Sequence, residues 1–187
     1  MSCRSGAAGE PPGWATEAMR IAEYDPRWPE LAAAYACEVE ELFAGRLSGE
    51  VVHVGSTAVP GLSAKPIIDL QAVSPDPASA LEEVGDSVEA AGWRFVPREL
   101  DRRPWRWFFV RVDADERVRR AHLHLMVPGE ERWQHQVLFR DRLRASARLR
   151  EEYAQVKARA AADHRGDREA YGHAKTRFIL EIVRSCG

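Results

Sequence analysis

The chain has 187 residues, with 27 Lys and Arg against 29 Asp and Glu, for a formal net charge of −2. That length is enough for one domain with a real hydrophobic core, and the near-neutral charge argues against a nucleic-acid coat or a membrane-surface protein, which need a basic excess. Cys3, Cys37 and Cys186 are scattered and odd in number, which fits neither a thiolate zinc site nor a disulfide framework and points to a reducing, cytoplasmic compartment.

Met1 to Trp14 is rich in Gly, Pro, Ser and Ala and lacks the apolar stretch of a signal peptide, so residues 1–18 are expected to form a flexible leader before one domain over 19–187. Ile21, Ala22 and Tyr24 read as a short extended stretch, and Asp25-Pro26 as a turn. Leu31, Tyr35, Val39, Leu42 and Phe43 recur at helical spacing, predicting a helix over about 28–47. Val51 to Val54 is a β-branched run that stops at Gly55, and Pro66 to Val73 is a second strand. Between them, Gly55, Ser56, Thr57, Pro60, Gly61 and Ser63 punctuate the chain too often for a long regular element. A helix over 76–91, capped by Ser74 or Asp76, closes at Gly92. Strands follow at 93–96, 105–112 and 119–127, then helices at about 131–145, 149–163 and 168–185, with Gly166 separating the last two. No run approaches the about 20 apolar residues that span a bilayer, so no membrane partner is expected. The order of elements predicts a mixed α/β or α+β fold.

Three groups of residues carry chemistry. Gly55 and Ser56 follow a strand directly; glycine lets a ligand approach the backbone closely, and Ser56 and Thr57 add hydroxyls suited to a phosphate. Lys65 brings positive charge to the same stretch. The alternative is that Gly55 and Gly61 merely turn the chain. Asp69 sits inside Pro66-Ile67-Ile68-Asp69-Leu70, where a carboxylate is costly to bury unless it is paired or binds a ligand. Strand alternation sets Ile67, Asp69 and Gln71 on one face and Ile68 and Leu70 on the other. A carboxylate capping nearby loop amides is the competing reading. His122 and His124 share one strand face, so they fit a metal or a phosphate, with His53 a further member; two half-exposed imidazoles are the plain alternative. Arg140 and Arg144 share a helix face, where either surface ion pairing with Asp141, Glu151 and Glu152 or reach toward a phosphate accounts for them. No nucleophile elbow and no complete P-loop are present.

The run from His53 through Asp69 resembles the signature of the GrpB family, as do Asp25-Pro26-Arg27-Trp28, His122-Leu123-His124, Phe139 to Arg144, and the ending with Tyr153, Lys157, Tyr171, Lys175, Phe178 and Ile179. The similarity extends from about Ile21 to the end. It implies a nucleotidyltransferase-like fold: a mixed sheet flanked by helices, with a C-terminal helical segment. In that superfamily a Gly-Ser follows the first core strand and an acidic-x-acidic pair on the next strand holds divalent metal. Gly55-Ser56 match the first feature and Asp69 the first acid, but Gln71 stands at the second acidic position, and no third carboxylate is evident. The resemblance therefore implies a nucleotide or other phosphorylated small molecule as ligand, held by Gly55, Ser56, Thr57, Lys65, Arg140 and Lys175. Asp69 takes the catalytic position, and Asp69, His122 and His124 form a set for Mg²⁺, Mn²⁺ or Zn²⁺. Transfer of a nucleotidyl or phosphoryl group is the leading expectation. The alternatives are a non-catalytic nucleotide-binding or accessory module near coenzyme A metabolism, or a metal-dependent phosphohydrolase.

Overall fold

The computed structural model describes residues 12–17, 20–164 and 168–184. Most of the expected leader, together with Cys3, Gly166, Ser185 and Cys186, lies outside them. The described part of the leader is anchored: Gly13–Ala15 forms a 3₁₀ turn, the Trp14 N–H donates to Glu116 O at 3.1 Å, and Arg119 Nε donates to Trp14 O at 2.8 Å.

Five strands form one mixed sheet: β1 (Val52–Val54), β2 (Ile68–Val73), β3 (Trp93–Val96), β4 (Trp107–Val112) and β5 (Arg119–Met126), in spatial order β1-β2-β5-β4-β3. Only β2 and β5 are parallel. The described helices are α1 (Trp28–Leu42), α2 (Pro77–Ala90), the short α3 (Arg98–Asp101), α4 (Glu131–Ala145), α5 (Ala147–Asp163) and α6 (Arg168–Arg184). The fold is thus α+β, and no described helix is long and apolar enough to cross a membrane.

The helix predicted over 28–47 ends five residues early, where Phe43 N–H closes on Val39 O and Gly45 takes φ +75°. Its buried stripe is Trp28, Ala32 and Val39, while Leu31 is exposed. α2 starts as read, with Asp76 accepting from Ser79 N–H at 3.0 Å and Pro77 in the first turn. α5 begins two residues before the predicted start because Ser146 caps it, accepting from Leu149 N–H at 3.3 Å. α3 has no periodic signal in four residues; it forms because the Leu100 and Asp101 N–H groups donate to Pro97 O.

Strand alternation then splits the sheet chemically. One face carries Ile68, Leu70, Ala72, Leu123, Leu125 and Phe109, buried with Val39 and Trp28 of α1 and Val84 and Val88 of α2 in the main core. The register sets Asp69 beside His122, Gln71 beside His124, and His124 beside Phe108 on the other face. A second core joins Phe139 and Leu143 of α4, Tyr153 of α5 and Val183 of α6 to Val59 and Leu62 of the β1–β2 connection. That connection is therefore clamped between the sheet and the C-terminal helices, and the polar sheet face opens beside it.

Candidate functional site

Gly55 leaves β1 at φ +75°, ψ −170°, a conformation that side chains do not tolerate. A Cβ there would lie 2.5 Å from Asp69 Oδ2. The glycine is thus needed twice, for its backbone angle and for the carboxylate beneath it. Ser56–Ala58 then makes one 3₁₀ turn.

Two arginines of α4 brace that turn. Arg140 Nη1 donates to His53 O at 2.9 Å, just before it, and Arg144 Nε donates to Ala58 O at 2.8 Å, at its end. Arg140 also pairs with Asp141 at 2.7 Å. The guanidinium is thus engaged with this carbonyl and carboxylate. Thr57 is likewise engaged within the turn. Its side chain is buried, its Oγ1 donates to Ile67 O at 3.4 Å, and His53 Nε2 donates to it at 3.0 Å. Burial, together with the charges of Arg144 and Arg140, lowers the His53 pKa to about 4 despite the opposing pull of Asp69, so this ring is a neutral prop under the turn.

Asp69, His122 and His124 do converge. His122 Nδ1 lies 2.9 Å from Asp69 Oδ1, and His124 Nε2 lies 3.7 Å from the same oxygen. Burial alone would raise the Asp69 pKa, but the hydrogen bond from His122, then the nearby His124 ring, holds the carboxyl well below the usual range. His124 is lowered to about 4, by burial first and then by the Arg106 charge. Arg106 was not anticipated. It is 5% exposed, although it lies in the loop before β4 rather than in the strand predicted to start at Trp105. Its Nε and Nη2 donate to Asp101 at 2.9 and 2.6 Å, its Nη1 donates to His124 Nδ1, and its Cζ stands 3.7 Å from the Phe108 ring centroid. A charged residue between Trp105 and Trp107 is the sequence signal that points to it.

These side chains meet one another and not a shared coordination point. Among the described residues no three His, Cys, Asp or Glu side chains are arranged to hold a metal ion. The donor chemistry agrees. Arg106 can only donate, so His124 Nδ1 accepts and its proton stands on Nε2, leaving neither nitrogen free for a cation. Gln71 is fully buried, and its Nε2 donates to Trp133 O at 3.3 Å, so the position where the resemblance implies a second acid holds a neutral tie between the sheet and α4. The residues present therefore do not fit the expected Mg²⁺, Mn²⁺ or Zn²⁺ set.

The cations lie on the other side of the turn. The Ser56 hydroxyl faces Tyr153 of α5, whose own hydroxyl is pushed up by burial, with Ser56 opposing the rise. Lys157, one helical turn on, is buried, donates to Ser63 O, and is lowered to about 7 by burial and by the charge of Lys175. Lys65 and Lys175 stand over the same Tyr171 ring, 4.6 and 4.3 Å from its centroid. Burial lowers the Lys175 pKa while the charge of Asp69 opposes it, so this ammonium is within electrostatic reach of that carboxylate. Neither Lys157 nor Lys175 makes an ion pair with a described carboxylate. Tyr153 and Lys157 were legible only as part of the family ending; their spacing of four on one helix is what aligns them.

The model of the GrpB protein family matches residues 18–185. The UPF0157 protein BH1888 of Halalkalibacterium halodurans is 37% identical over 168 residues, covering 88% of this chain and 80% of that one. A dephospho-CoA kinase of Mycobacterium tuberculosis is 28% identical over 185 residues, but the match covers only 45% of that protein. Among solved structures, the conserved protein GrpB from Enterococcus faecalis superposes with a TM-score of 0.76 at 23% identity, over 89% of this chain and 96% of that one. The Cid1 poly(U) polymerase superposes with a TM-score of 0.54 at 11% identity, over 82% of this chain and 48% of that one, which is a likeness of fold. With its sequence matched almost end to end and its polar sheet face built on a nucleotidyltransferase-like fold, this chain belongs to the GrpB family.

Proposed function

We propose that the chain binds the phosphate tail of a nucleotide, or of another phosphorylated small molecule, between the Gly55–Ala58 turn and the Tyr153, Lys157, Tyr171 and Lys175 side chains of α5 and α6. The observation that carries this reading is the convergence of Lys65 and Lys175 on one phenol ring with Lys157 beside them. The Lys157 and Lys175 ammonium groups, both desolvated, repel one another, and an anion with several charged oxygens relieves both the repulsion and the lost hydration. Ser56 and the Tyr153 hydroxyl add neutral hydrogen-bonding groups at the same place. The partial match to dephospho-CoA kinase supports a ligand from nucleotide or coenzyme A metabolism.

Transfer of a nucleotidyl or phosphoryl group from an NTP to an acceptor is the second reading. It is favoured by the carboxylate of Asp69 lying directly under Gly55. Binding is placed first because the centre around Asp69 lacks the donor set that metal-assisted transfer or hydrolysis requires. Calorimetric titration with each of the four NTPs, inorganic triphosphate and dephospho-CoA tests the proposal. Saturable binding of at least one, weakened by Lys175→Met, is the expected result. No binding by any of them removes the reading, and turnover on any acceptor would favour transfer.

A further inference from the structure

We infer that the Asp69–His122–His124 centre is closed to divalent cations and that the buried Arg106 guanidinium supplies, next to it, the fixed positive charge that a metal ion would otherwise bring. Arg106 is held from two sides. Asp101 grips its Nε and Nη2, and its Cζ lies 3.7 Å from the Phe108 ring centroid and 5.0 Å from that of Trp105. It therefore cannot swing out of the way without breaking a buried pair whose side chains are only 6% and 4% exposed. Its remaining nitrogen, Nη1, fixes the His124 tautomer by donating to Nδ1.

The consequences for coordination follow atom by atom. Both His124 nitrogens are committed, one to Arg106 and one toward Asp69. Asp69 Oδ1 already accepts from His122 at 2.9 Å, and Oδ2 lies against the Gly55 backbone. Gln71 is tied to Trp133. His122 Nε2 and Gln71 Oε1, both buried and without a hydrogen-bond partner, remain as ligand atoms. One imidazole nitrogen, one carboxylate oxygen and one neutral amide oxygen fall short of the closed four-ligand shell of a structural zinc site and of the oxygen-rich, carboxylate-bearing shell of Mg²⁺. A dication would also face the guanidinium of Arg106, while the two carboxylates nearby are already engaged, Asp101 by Arg106 and Asp69 by His122. The Asp69 carboxylate is instead stabilised by the His122 ring N–H, with the Arg106 charge close by.

This inference rests on the proposed phosphate site only for the statement that the ligand binds without metal, and the experiment separates the two. Full-length protein stripped with EDTA and labelled with ¹⁵N is titrated with Mg²⁺, Mn²⁺ and Zn²⁺ while the imidazole ¹⁵N signals of His122 and His124 are followed. The expected spectrum shows His124 neutral with its proton on Nε2, and neither ring shifts or broadens at one equivalent of any metal. Heat from metal binding at other histidines leaves these two rings unmoved and agrees with the inference. A stoichiometric shift of either ring by Zn²⁺, or its broadening by Mn²⁺, overturns it. In a second arm, binding of ATP and inorganic triphosphate is measured in EDTA and in each metal. Affinity in chelator within about twofold of that in metal is expected, and binding only in metal overturns the inference. If neither anion binds under any condition, the proposed phosphate site fails, while the ring signals still decide whether the centre takes a cation.

Discussion

Gly55 and Asp69 are built for each other: the glycine backbone covers the carboxylate so closely that a Cβ at position 55 would lie 2.5 Å from Asp69 Oδ2. Gly55→Ala combines that clash with a conformation at φ +75°, ψ −170° that favours glycine alone. The expected cost is about 1–3 kcal/mol of stability, read by urea denaturation. Displacement of Asp69 is also expected to move the His122 ring ¹⁵N signals. An unchanged midpoint with unchanged ring signals would show that the turn yields freely and that the pairing has no structural weight.

Removing either brace of the turn is expected to loosen it without disturbing the sheet. Arg140→Ala frees His53 O and Arg144→Ala frees Ala58 O. Each hydrogen bond from a charged donor is worth roughly 1.5–3 kcal/mol, and part of that is recovered by hydration at this half-buried place. Hydrogen exchange at residues 56–59 is expected to accelerate in both variants, while the amides of β5 keep their protection. Faster exchange throughout the sheet would mean that the arginines hold more than the turn.

Stability is expected to fall as the pH drops from about 6.5 to about 4. His53 and His124 have folded pKa values near 4 against 6.5 in a model peptide. In that window the unfolded chain binds protons that the folded chain does not, so protonation favours unfolding. The stability is fully present above 6.5 and its loss from these two groups is complete below about 4. At about 1.4 kcal/mol per unit, the His124 shift alone corresponds to roughly 3 kcal/mol. Asp69 does not blur the window, because its contribution is lost only as the pH falls through a folded value well below the ordinary 3.8. Urea midpoints between pH 4 and 8 check the prediction, and a flat profile across that range contradicts it.

Lys157→Met is expected to make the unliganded protein more stable and a poorer binder. The ammonium is buried, is lowered to about 7 by burial and by Lys175, and has no described carboxylate partner. Methionine keeps the stem and removes the desolvated charge, at the loss of one hydrogen bond to Ser63 O. A gain of roughly 0.5–2 kcal/mol, typical when a functional strain is relieved, is expected at neutral pH. For the parent protein the same shift makes stability rise with pH between about 7 and 10.5, since there the unfolded chain holds the extra proton. A variant less stable than its parent would show that the ammonium is a structural tie.

Much of this arrangement was legible from residue types in order. Period-two alternation was enough to set Asp69 and Gln71 on one face and Ile68 and Leu70 on the other, and to align His122 with His124. Capping chemistry located the start of α2 through Asp76. What alternation cannot supply is the partner across strands: the register that sets Asp69 beside His122 spans 53 residues of chain. Arg106 was hidden for the same reason, since its burial depends on Asp101 and on a strand 18 residues away. The inward hydrogen bonds of Thr57 and Arg140 were not legible, because a hydroxyl or guanidinium near a glycine turn looks the same whether it faces a ligand or the turn's own carbonyls. The hydrogen bonds to Ile67 O and His53 O separate the two cases.

In the proposed site, Lys157 and Lys175, with Lys65 over the same Tyr171 ring as Lys175, hold phosphate oxygens beside Ser56. Titration calorimetry of inorganic triphosphate into the parent chain, Lys157→Met and Lys175→Met tests it most directly. One saturable site in the parent is expected, weakened roughly ten- to a hundredfold in each variant, as the loss of a charged hydrogen bond worth about 1.5–3 kcal/mol requires. Equal affinity in all three proteins, or no heat in the parent, would contradict it.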